Sequence, residues 1–155
     1  PSAAAATATI PFTNSLPPNV TLAKSCSAPA NCESENQLPG ADLTYTIVFA
    51  NSGGQSAQGL TIVDAIPANT DFKIGTAAVV APSGMTFAIE YSFDYNPADP
   101  PAATWTNAPP VSGGGGASAG YNALVKAIRW RNTAGLLSNS SPNNSGSVNF
   151  TVKIR

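Results

Sequence analysis

The chain has 155 residues, of which 10% are charged and 43% hydrophobic, with a net charge of −1 and no His. That balance excludes the basic footprint a nucleic-acid binder needs to neutralise phosphates, and it excludes electrostatic attachment to a membrane surface. Without His, the commonest general base and metal ligand are gone, so His-dependent triads, His-ligated zinc and His-held haem are excluded; no enzyme and no cofactor is expected.

The chain order reads as an arm followed by strands and turns, with no helices. Residues 1–18 are rich in Ala and Thr. In strand geometry Ala4, Ala6, Ala8, Ile10 and Phe12 share one face, and Thr7, Thr9 and Pro11 the other. The Ala-rich start reads as a segment just past a removed signal. Leu16-Pro17-Pro18 makes a semi-rigid link to a domain at 19–155. The strongest strand signal is 43–49, where Leu43, Tyr45, Ile47 and Phe49 alternate with Thr44, Thr46 and Val48. Asn51-Ser52-Gly53-Gly54 breaks it. Residues 60–63 form the next strand, stopped by Asp64-Ala65-Ile66-Pro67. Shorter strands are expected at 70–74 and 77–80. Residues 86–93 alternate again, with Phe87, Ile89, Tyr91 and Phe93 on one face. A turn at 96–101 leads to a short strand around Trp105. The Gly-rich stretch 109–120 reads as a mobile loop. Residues 124–131 form a strand with Leu124, Ile128 and Trp130 inward; Lys126 shares that parity, which predicts a bulge or an edge position. Residues 138–146 form a polar turn. A last strand, 148–154, places Val148, Phe150, Val152 and Ile154 on one face. Short strands punctuated every ~8–12 residues predict an antiparallel β-sandwich.

Hydrophobic content is too high for a disordered chain, and no apolar run approaches the ~20 residues of a membrane span. With so little charge, solubility rests on Ser, Thr, Asn and Gly, which points to an extracellular, cell-surface location. Cys26 and Cys32 fit neither a redox CxxC pair nor a zinc knuckle. A local disulfide is the first reading, with free thiols or a cross-link between subunits as alternatives. Asn19, Asn139, Asn143 and Asn149 head Asn-x-Ser/Thr triplets and are candidate glycan acceptors. Asn51 and Gly53 read as turn residues supplying left-handed backbone, Asp64 as a turn organiser capping amides, and Pro67 as a stop to the ladder.

Asp42-Leu43-Thr44-Tyr45-Thr46-Ile47, Asn51-Ser52-Gly53 and the run Leu60 to Pro67 together resemble the surface-repeat family called domain of unknown function 11. Glu90-Tyr91-Ser92-Phe93-Asp94 with Thr104-Trp105-Thr106 is similar to that family's middle hairpin. Ile128-Arg129-Trp130 with Gly146 to Phe150 is similar to its last two strands, and Val20 to Lys24 fits its first. The resemblance covers 20–155, and a single copy is present. It implies an immunoglobulin-like fold on a bacterial or archaeal surface protein.

The weaker constellations read mainly as structural. Glu33 with Glu35 and Asp94 with Asp99 are the close carboxylate pairs, and both read as solvated loops rather than the opposed pair of a glycosidase. A calcium site from Asp64 with Asp42 or Asp71 lacks a dense acidic loop. An isopeptide bond from Lys24 to Asn149 is a minor alternative. Trp105 and Trp130 with Tyr91, Tyr95 and Tyr121 could form a sugar platform, although Trp130 reads better as core. Lys126, Arg129 and Arg131 are too few for a polyanion site. The expected function is therefore a structural subunit of an extracellular, pilus-like filament. Its partners are identical subunits, each inserting its N-terminal strand into its neighbour's sandwich, with glycans as candidate covalent additions. The alternatives are an arm folded back on its own domain as a first strand, and a monomeric adhesive or carbohydrate-binding module.

Overall fold

The computed structural model describes residues 16–155. The candidate donor residues Ala4, Ala6, Ala8, Ile10 and Phe12 lie outside the described residues. Among the described residues nine strands occur in chain order: β1 Val20–Ala28, β2 Asp42–Asn51, β3 Thr61–Ala65, β4 Thr70–Lys73, β5 Ala78–Val80, β6 Thr86–Ser92, β7 Tyr121–Asn122, β8 Ala127–Ala134 and β9 Ser145–Ile154. They form two antiparallel sheets. One runs β1-β2-β9-β4-β7, with β5 also on β9; the other runs β3-β8-β6. The chain is an all-β sandwich, and one three-residue 3-10 turn, Pro100–Ala102, is its helical content among the described residues.

Period-two alternation made these strands because one face of each sheet is buried. On β2, Leu43, Ile47 and Phe49 are buried while Val48 is exposed; on β9, Val148, Phe150 and Val152 are buried. The two inner faces meet through aromatic rings. Trp130 lies 6.1 Å from Phe150, Phe49 lies 5.9 Å from Phe87, and Phe72 lies 5.6 Å from Tyr91. Trp130 is fully buried in this core, as its alternation implied.

Several local expectations change. β8 begins at Ala127, so Lys126 precedes the strand, Leu124 is exposed and Val125 is buried. No bulge is needed at Lys126, and β8 is the middle strand of its sheet rather than an edge. The register shift that does occur lies between Thr86 and Phe87, where β6 meets the far end of β8. Phe93 falls just beyond β6 and is exposed. Around Trp105 there is one bridge rather than a strand: Tyr91 and Thr106 exchange main-chain bonds of 2.8 and 3.0 Å. The stretch 109–120 folds on itself. Gly113 N donates to Tyr121 O (2.9 Å), Gly120 N to Ser112 Oγ (2.8 Å), and the buried Asn122 donates its Nδ2 to Val111 O (2.8 Å).

Charge is sparse but organised. Glu90 is buried on β6 and accepts from Arg129 Nε (2.7 Å) and Arg131 Nη2 (3.0 Å) of β8. Burial alone would raise this carboxyl, but the hydrogen bonds and charges of the two arginines outweigh it and hold it below its ordinary value. Asp42 behaves likewise: burial opposes ionisation, while Lys73 and Tyr121 overcome it.

Two predictions follow from this packing. Trp130→Ala should lose about 3–5 kcal/mol in urea unfolding, because the vacated volume has rigid neighbours in both sheets. Glu90 titrates lower folded than unfolded, so its contribution is present above about pH 5 and is lost as pH falls through the folded value. Melting curves between pH 6 and pH 3 should therefore fall less steeply for Glu90→Gln than for the wild type.

Candidate functional site

The site is a side of the sandwich left uncovered. It begins where residues 16–19 lead into β1. Residues 16–19 continue the β1 line beyond the end of β2 in unbroken register. Val20 pairs with Asn51, Ser52 N donates to Asn19 O (2.9 Å), and Gly54 N donates to Pro17 O (3.2 Å). The glycines make this possible by having no side chain. A Cβ on Gly53 would lie 2.3 Å from Pro17 O, and one on Gly54 would lie 2.6 Å from Leu16 O. This corrects the turn reading. Asn51 is the last residue of β2, and Gly53 lacks a positive φ. The left-handed positions nearby are Gly59 and Asn69.

Asn51 is fully buried and uses its whole amide. Its Oδ1 accepts from Asn19 N (3.1 Å) and Gly53 N (3.0 Å). Its Nδ2 donates to Gln55 O (2.8 Å) and Leu137 O (3.3 Å). Sequence reasoning missed this hub, because a buried Asn joining three segments looks locally like a turn former.

The three-stranded sheet stops at β3. Ladder bonds alternate along an antiparallel strand. Asn132 N donates to Leu60 O (2.9 Å) and Ile66 N to Lys126 O (2.8 Å), so every second residue from 60 to 66 faces β8. The main-chain groups of Thr61, Val63 and Ala65 therefore point the other way, and among the described residues no strand pairs with that edge. Opposite lies the inner face of β1. Leu22 pairs with the fully buried Phe49 and Lys24 with the buried Ile47, so both β1 side chains point inward. Yet Leu22 is 54% exposed. A large apolar side chain on an inward face is exposed only where the facing sheet ends.

Lys24 spans the gap. Its Nζ lies 2.9 Å from Asp64 Oδ1 and 2.6 Å from Oδ2, and 4.6 Å from the centre of the Tyr45 ring. Burial, and then the charge of Asp64, push the Tyr45 hydroxyl above its ordinary value. Asp64 is thus an inward residue of β3 tied to the other sheet, not a cap on turn amides. Beyond it, Ile66 makes the last ladder bond and Pro67 O accepts from Thr70 Oγ1 (2.7 Å). Past Lys24, a shallow hollow of about 330 Å³ is lined by Cys26, Cys32, Glu33 and Tyr45. Cys26 and Cys32 are joined in a disulfide, which settles their pairing within one chain. Glu33 Oε1 accepts from Cys26 N (2.6 Å), closing that end of the β1 edge.

The remaining candidates disperse. Asp42 pairs with Lys73 (2.7 Å), Asp71 with Arg155 (3.1 Å) and Asp64 with Lys24, so the calcium grouping is split among three cations. Asn149 sits between the inward-facing Val148 and Phe150 on β9 and therefore points outward, on the opposite face from Lys24, which removes the isopeptide pairing. Glu33 and Glu35 bind Cys26 N and Asn31 Nδ2, while Asp94 receives Thr104 Oγ1 (2.7 Å). The Tyr95 and Trp105 rings are inclined at 57°, and Arg129 lies 4.4 Å over Trp105, so no flat platform forms there. Asn19 and Asn139 are exposed beside the arm exit, bonded to Ser52 Oγ (3.0 Å) and Gly54 O (2.8 Å). Asn143 is half-buried and its N donates to Ser140 O (3.1 Å); Asn149, also half-buried, donates its Nδ2 to Thr76 O (3.4 Å). The chain matches no family model, no curated protein and no solved structure.

Asn51→Ala should lower stability by about 2–3 kcal/mol in denaturant unfolding, since it takes the acceptor from Asn19 N and Gly53 N and one donor from Leu137 O, which keeps only Ala57 N. A change below half of that would mean water replaces the side chain.

Proposed function

We propose that the protein is a structural subunit of an extracellular filament, built as an immunoglobulin-like relative of the domain of unknown function 11 surface repeats and without catalytic activity. Polymerisation occurs by insertion of one subunit's N-terminal segment into the sandwich of the next. The observation that carries this reading is the half-exposed, inward-facing Leu22 beside the unpaired edge of β3. A sandwich that lacks one strand's width of cover is completed by an added strand, which supplies main-chain hydrogen bonds and apolar contact together.

Three further observations support it. Residues 16–19 continue the line of β1 past the end of β2. Head-to-tail donation along such a line does not close on itself and so extends without limit. The surface carries little net charge, which permits close packing between copies. The Cys26–Cys32 disulfide fits an oxidising, extracellular setting, and among the described residues no helix is long and apolar enough to cross a membrane. The adhesive, sugar-binding reading has less behind it, because Arg129 occupies one face of Trp105 and the neighbouring Tyr95 ring is inclined at 57° to it.

Electron microscopy of the purified full chain beside a variant lacking residues 1–15 tests the proposal. Filaments are expected from the first and monomers from the second. Monomers from both would overturn it, and a glycan-binding screen would then examine the adhesive reading.

A further inference from the structure

We infer that the acceptor for the inserted strand is the free edge of β3, not that of β1, and that its occupant is residues 4–12 of a second copy. This rests on the filament reading and specifies its interface. Two edges on the same side of the sandwich are open to a strand, and three observations separate them.

The first is obstruction. On β1, Asn19 O bonds Ser52 N, so by alternation the main-chain groups of Val20, Leu22, Lys24 and Cys26 face the free edge. Cys26 N is already taken by Glu33, and the disulfide-closed loop stands at that end. The outward-pointing groups of Thr61, Val63 and Ala65 on β3 have no strand partner among the described residues. The second is cover. A strand added to β1 would widen its sheet and leave the inner face of Leu22 bare. A strand added to β3 would lie across from β1 and bury Leu22. The third is guarding. Natural edges are commonly protected by charge, Pro or bulges. β1 carries a register shift at its Cys26–Ala28 end. The outward side chains of β3 are Thr61, Val63 and Ala65, and its ladder with β8 runs without a register shift; the inward Asp64 and Lys24 neutralise each other, so charge does not separate the two edges.

The occupant follows from chain length and direction. Residues 4–12 match β1 in length, which is nine residues, so one such segment covers the inner face from end to end. As a strand it would turn Ala4, Ala6, Ala8, Ile10 and Phe12 toward that face. The alanines leave room for the Lys24–Asp64 pair, while Ile10 and Phe12 bring apolar area to Leu22 and the hollow beside Tyr45. Thr7 and Thr9 would then lie on the outer face with Thr61 and Val63. The donor is a second copy because residues 16–19 run outward along the β1 axis, stiffened by Pro17 and Pro18 and seated against Gly53 and Gly54.

Cross-linking of full-length chains tests this directly. The two native cysteines are already joined, so introduced thiols are the free ones. Copies carrying Thr7→Cys or Thr9→Cys are mixed with copies carrying either Val63→Cys or Ala23→Cys, allowed to assemble, and treated with a short bifunctional thiol reagent. Dimers on a denaturing gel are expected with Val63→Cys and not with Ala23→Cys. The reverse pattern, or silence at both positions, overturns the β3 assignment while leaving filaments visible by microscopy. Absence of filaments from the unmodified chain overturns strand donation itself. A single chain carrying both Thr9→Cys and Val63→Cys that cross-links internally at high dilution would show an arm folded back on its own domain. As a second measurement, Val63→Pro removes the edge-facing N–H without taking a donor from the β3–β8 ladder, and because Pro also restricts Ile62, its melting is read beside its assembly. It should melt within a few degrees of the wild type yet lose filament formation at least tenfold; normal assembly by this variant counts against the proposal.

Discussion

Asn51 has no solvent exposure and four hydrogen bonds, and the segments it joins are the arm exit, the β2–β3 connection and the stretch around Leu137. That amide holds Asn19 in line with β2 after the strand has ended, which sets the direction in which the arm departs. It also holds Gly53 and Gln55, so the chain crosses to the second sheet while keeping its seat for residues 16–18. The open side of the sandwich and the outgoing arm are thus organised from one buried side chain.

The same side shows how a nearly neutral protein distributes its charge. Each carboxylate on a strand has a cation of its own: Lys24 for Asp64, Lys73 for Asp42, Arg155 for Asp71, and two arginines for Glu90. Lys24 is the most consequential of these because it spans the two sheets at their unclosed margin, with its ammonium over the Tyr45 and Phe150 rings. It ties the sheets together beside Leu22, which stays half exposed. β6, by contrast, has its outer edge engaged by Thr106, so the two margins of the small sheet are chemically unlike.

Legibility followed the range of the interaction. Alternation in 43–49 and 148–154 located β2, β9 and their buried faces, because side-chain direction in a strand depends only on the pleat. The reading of 124–131 failed where a second signal intruded. Leu124 and Val125 look like strand, but Lys126 N is committed to Ser92 O and its carbonyl to Ile66 N, which fixes the strand start at Ala127. Asp64 followed by Pro67 looked like a turn cap, yet its partner lies forty positions earlier on β1. Gly53 looked like a left-handed turn residue, and its actual role is to let Pro17 approach its backbone.

By itself the sequence determined an all-β chain with little charge, two cysteines six positions apart, and an Ala/Thr-rich stretch ahead of Pro17 and Pro18. Those properties depend on composition and on neighbours a few residues away. Only the tertiary structure decided that Cys26 pairs with Cys32, that Lys24 closes on Asp64, and that β3 rather than β6 is the bare margin of the smaller sheet. Strand pairing is a contact between segments distant in the chain, and the local pattern of a strand is the same whether one of its edges is occupied or both.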